Sequence, residues 1–66
     1  MDYITHGKVA QVLADVALEE WPLNTDKFIG SAPASQKICN RVGIGNQLIV
    51  NMVETLLYRA YTDNSK

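Results

Sequence analysis

The residue types most often recruited as general base and as thiol nucleophile each occur once in this sequence: His6 and Cys39. A catalytic histidine needs a partner that orients it and a pocket that delivers substrate. His6 stands beside Gly7 near the start of the chain with no such partner indicated, and it reads as a surface or capping residue. A reactive cysteine needs a neighbouring base or cation to hold it as thiolate. Cys39 lies between Ile38 and Val42, which reads as a small buried residue, a common fate of free cysteine. Glu19 and Glu20 are adjacent on an expected helix, so their side chains diverge by about 100° and do not converge on one substrate. One histidine and one cysteine fall short of a four-ligand zinc site, and a lone cysteine makes no intramolecular disulfide. The expectation is a protein that is not an enzyme and holds no cofactor and no metal.

Gly43-Ile44-Gly45-Asn46 precedes an expected helix. Backbone N–H groups at such a start can hold an anion. The stretch lacks the strand, lysine and third glycine of the phosphate-binding fingerprints, and reads as an inter-helix turn with Gly43 at positive φ. The more specific pattern runs from Ser35 to Glu54. Two helices joined by a short glycine-containing turn make a helix-turn-helix, and this stretch resembles that motif in spacing. Ile38 and Cys39 would be buried in its first helix, Val42 and Ile44 would flank Gly43, and Ile49 and Met52 would face the core from the second. The resemblance implies that Gly45, Asn46, Gln47 and Asn51 lie toward a major groove, where Asn and Gln can read adenine, and that Lys37 and Arg41 touch phosphates. Two features count against it. The would-be recognition helix has no Lys or Arg before Arg59, and Leu48, Ile49 and Val50 are consecutive, so at least one of them points outward.

The elements that must position these residues are all helical. Residues 8–21 show Val9, Val12, Leu13, Val16 and Ala17 at the spacing of one buried stripe, with Thr5 as N-cap and Pro22 as terminator. Residues 22–34 are irregular, with one helical turn expected at 26–29 and Gly30–Pro33 as a connection. Residues 35–42 form a short helix capped by Ser35 and closed by Gly43 at C′. Residues 46–61, capped by Asn46, form the longest helix. Its apolar residues, from Leu48 to Tyr61, sweep an arc of roughly 220°, far wider than a surface helix needs. The fold class expected is all-α: a single domain over residues 1–66 with three to four helices, a long central C-terminal helix, and frayed ends at 1–7 and 62–66.

At 66 residues the chain is one domain and marginal on its own, so the wide arc suggests burial between chains. Residues 1–33 carry a net charge of −3 and residues 34–66 a net +2, too dispersed for a phosphate-binding patch. No apolar run exceeds three residues, so no membrane-spanning helix is expected. The N-terminal residues lack the basic and apolar regions of a signal peptide, and a cytoplasmic location is expected. The function expected is a small regulator or inhibitor that docks on a protein, itself a homodimer, through Leu18, Trp21, Val50, Val53, Leu57 and Tyr61. Trp21 has a second reading, folded back over Phe28 and Ile29. The alternative function is a helix-turn-helix DNA-binding regulator.

Overall fold

A computed structural model describes residues 3–64, with side chains from 5 to 63. It contains three helices: α1 (Tyr3–Glu20), α2 (Ser31–Arg41) and α3 (Gln47–Asn64). There is no strand among the described residues. Residues 26–29 lie in the turn-rich segment between α1 and α2 and form no helical turn. Residues 3–7 and 62–64, expected to lie outside helices, are helical; the expectations for residues 1, 2, 65 and 66 fall outside the described residues.

Most of the α3 arc that sequence periodicity made too wide for one chain to cover is covered within one chain; its Leu48 edge stays exposed. Ile49, Val50, Val53, Leu57 and Tyr61 are buried, and Met52 and Leu56 are half-buried against the same core. The covering faces are built from small residues. α1 contributes Ala10, Ala14 and Ala17 around Leu13, and α2 contributes Ala34, Ser35 and Cys39 around Ile38. Small side chains at a contact shorten the distance between helix axes, so two modest helices can close on a broad third one. This corrects the stripe expected on α1. Leu13 and Ala17 are buried, Val9 is half-buried, and Val12 and Val16 are 61% and 42% exposed. The valines, which helical spacing places in the stripe, instead flank the alanine face that α1 turns inward.

Five of the six side chains expected at an interface, Trp21, Val50, Val53, Leu57 and Tyr61, are thus inside the chain, and Leu18 is half-buried against them. Trp21 is part of the buried core. Its carbonyl accepts a buried hydrogen bond of 2.7 Å from the Tyr61 hydroxyl. That bond ties the end of α1 to the last turns of α3. Phe28 packs edge-on against the Tyr61 ring, centroids 4.9 Å apart. A second buried hydrogen bond, 2.6 Å from the Ser35 hydroxyl to the Val50 carbonyl, joins α2 to α3.

Helix boundaries follow local chemistry. α1 ends before Pro22. α2 begins four residues earlier than expected because Gly30 serves as N-cap at φ 94° and Pro33 sits in the first turn, where a missing N–H costs nothing. Ser35 is therefore inside the helix and not its cap. Thr5 likewise lies within α1.

The α2–α3 turn is set by two devices. The N–H of Ile44 bonds to the Cys39 carbonyl at 2.9 Å and that of Gly43 to the Asn40 carbonyl at 3.2 Å, the paired bonds of a Schellman motif with Gly43 at φ 77°. Asn46 then caps α3: its Oδ1 accepts from the Leu48 N–H at 2.9 Å. Gly43→Ala should destabilise the fold by about 1 kcal/mol, the cost of a side chain in the left-handed region. Gly45→Ala, at a position whose added Cβ meets only open space, should leave stability unchanged. Urea-denaturation midpoints of the two variants check the contrast.

Candidate functional site: the outer face of the α2–α3 unit

Residues 35–54 meet most of the packing conditions of the spacing resemblance. Ile38, Cys39 and Ile49 are buried, and Ile44 and Met52 are half-buried against the core. Val42 and Ile44 flank Gly43 as expected. Val42 is 51% exposed, because as C-cap it sits where the chain turns out of α2. The residues expected to face a groove, Gly45, Asn46, Gln47 and Asn51, are all exposed. Their polar groups are partly engaged: Asn46 caps the helix, and the Gln47 amide donates to Asn51 Oδ1 at 2.9 Å.

The two expected phosphate contacts fare differently. Lys37 is exposed on α2. Arg41 forms a bidentate ion pair with Glu20, one nitrogen 2.6 Å from Glu20 Oε1 and the other bonded to Oε2. Its guanidinium also lies 5.5 Å above the centre of the Trp21 ring. It is the only ion pair among the described residues. The hydrogen bond to Arg41, reinforced by its charge, holds the Glu20 carboxyl below its ordinary value. Arg41 is thereby a clasp between α1 and α2 and not a free cation. The adjacent acids of the sequence have separated as expected: Glu19 is exposed and Glu20 is in the clasp.

What sequence reasoning missed is an apolar groove between α1 and α3. It holds about 280 Å³ and is lined by Gly7, Gln11, Asn51, Met52, Thr55 and Leu56. Met52 and Leu56 are its apolar lining, and Gln11 and Asn51 are the amide residues along it. Gly7 leaves the α1 wall open; an added Cβ there would meet the Met52 methyl at 3.8 Å. Leu48, 46% exposed, lies one turn before Met52 on the same row of α3, so Leu48, Met52 and Leu56 form a continuous apolar line at i, i+4 and i+8. The available signal was the run Leu48–Val50, in which one residue had to point outward; Leu48 is that residue. None of the groove's lining residues is charged.

Burial pushes the Cys39 thiol up, opposed by a hydrogen bond with Ser35, the reverse of nucleophile activation. His6 is half-buried on α1. No three His, Cys, Asp or Glu side chains converge as a metal site would require among the described residues. No helix is long and apolar enough to cross a membrane, again among the described residues. Comparison of the chain with protein-family models, curated proteins and solved structures finds no match.

The clasp predicts a pH response. A carboxyl with a lowered folded-state value stabilises the fold above its ordinary range, and that contribution is lost as pH falls through the folded value. Thermal midpoints should therefore drop on acidification more in the wild type than in Glu20→Gln. Equal slopes would show that the pair carries no stability.

Proposed function

We propose that this protein is a non-enzymatic regulator or inhibitor that works by docking on another protein, and that it does so as a homodimer. One observation carries the docking reading: the row Leu48–Met52–Leu56 opens from an exposed leucine into an apolar groove whose lining is wholly uncharged. Such a surface suits a partner segment with apolar anchors and a few hydrogen-bonding groups to match Gln11 and Asn51. It suits a polyanion poorly, since phosphate affinity comes from cations and Arg41 is engaged with Glu20. The homodimer reading rests on size: so small a fold buries a limited core and gains from association. A reduced, buried Cys39 agrees with a cytoplasmic setting.

A second reading keeps a specific observation in its favour. The Schellman turn at Gly43, the Asn46 cap and the burial of Ile38, Cys39 and Ile49 are what the turn of a helix-turn-helix would need, and they support this reading. Under that reading Gln47 and Asn51 reach base edges and Lys37 a phosphate.

One experiment separates the two. Tagged protein is used to capture partners from a host lysate, with and without nuclease, beside a Leu48→Asp variant and a Lys37→Ala variant. Docking on a protein predicts a single captured protein that survives nuclease, is lost with Leu48→Asp and is retained with Lys37→Ala. Capture that vanishes with nuclease, together with a sequence-specific duplex shift weakened by Lys37→Ala, would replace the docking reading with the DNA reading.

A further inference from the structure

α1 carries an apolar face that no other helix covers. Val12 and Val16 are exposed, and Val9 beside them is half-buried. Lys8, Val9, Val12 and Leu13 line a shallow depression of about 270 Å³. Val9, Val12 and Val16 follow one another at intervals of three and four residues, the seam spacing of a two-helix coiled coil. The seam is flanked on one side by Lys8 and Asp15, seven residues apart and of opposite charge, both exposed.

We infer that this face is closed by a second copy of the same chain, with the two α1 helices packed antiparallel about a two-fold axis between residues 10 and 11. The inference deepens the homodimer reading above and rests on it. A two-fold interface must be self-complementary, and this register is. Val9 lies level with the partner's Val12, and Val12 with the partner's Val9. Lys8 lies about 3 Å along the axis from the partner's Asp15, two residues at the helical rise. Both side chains lean toward the N-terminus of their own helix, and in an antiparallel pair these leans converge. The axis repeats the contact, so the dimer holds two Lys8–Asp15 pairs.

The parallel arrangement lacks this match. Flanking residues then pair with residues five positions on in the other helix. Lys8 would meet the partner's Leu13, and Asp15 the partner's Glu20, a like charge. The pattern of one cation and one anion on the same flank, seven apart, therefore selects the antiparallel dimer. In the single chain Asp15 accepts a 3.0 Å hydrogen bond from the Gln11 amide, a contact on the surface that an ion pair can displace. The seam is short and its residues are valines, so association is weak, in the range of small interfaces.

Sedimentation equilibrium of the full chain, from low to high micromolar concentration, tests the inference, with circular dichroism to confirm helicity of each variant. Wild-type protein should self-associate, and Val12→Glu, a change at an exposed position, should be monomeric throughout. Lys8→Asp or Asp15→Lys alone should weaken the dimer roughly tenfold, because two symmetric pairs turn from attraction to repulsion. The double swap Lys8→Asp/Asp15→Lys should restore wild-type affinity. Self-association unaffected by Val12→Glu would overturn the α1 surface and leave the homodimer reading standing. Association lost with Val12→Glu but indifferent to the charge swaps would overturn the antiparallel register. A wild type that stays monomeric would overturn both.

Discussion

The last helix is apolar over more of its circumference than one neighbour can cover, and everything else in the fold answers to that constraint. Two helices must close on it from different sides, and the shorter has only eleven residues. Alanine, serine and cysteine on the closing faces make this possible by letting the helices approach closely. The ends are then fastened by polar contacts: Tyr61 to the Trp21 carbonyl, Ser35 to the Val50 carbonyl, Arg41 to Glu20. Burial raises the Tyr61 phenol further above its ordinary value, so the hydroxyl remains a donor at any physiological pH.

The same constraint decides what is left for function. With most of the wide arc buried, the large apolar and aromatic side chains left on the surface are Val12 and Val16 on α1, Phe28 before α2, Val42 at the turn, and Leu48 and Tyr58 on α3. Arg41 is drawn into the clasp, which lowers the cationic character of the α2–α3 unit. The apolar and amide surfaces that remain are the ones on which the proposed docking on a protein rests.

Much of this was legible in the sequence. The three helices, the left-handed Gly43, the Asn46 cap and the burial of Ile38, Cys39 and Ile49 each had a local signature, in turn chemistry or in helical spacing. The sidedness of α1 did not. Periodicity set the stripe on Val9, Val12, Leu13, Val16 and Ala17, yet the inward face is chosen by how closely the partner helix must approach, which is a property of two helices and not of one. The covering of α3 was missed for the same reason: counting elements ignores the distance at which small residues let them pack. The start of α2 was hidden by reading Gly30–Pro33 as a connection, although glycine can cap a helix and proline fits its first turn. The groove between α1 and α3 depends on Gly7 standing opposite Met52, a juxtaposition across 45 residues of chain that no local pattern encodes.

If one chain covers its own last helix, the environment of Trp21 must not depend on a second chain. Steady-state tryptophan fluorescence with acrylamide quenching, followed from high micromolar down to nanomolar protein, measures this directly. A blue-shifted emission that quencher reaches poorly, unchanged across the dilution, is the expected result. A shift to the red with rising quenching on dilution would mean that the core around Trp21, Leu57 and Tyr61 is completed by another chain, and would contradict intrachain closure of α3.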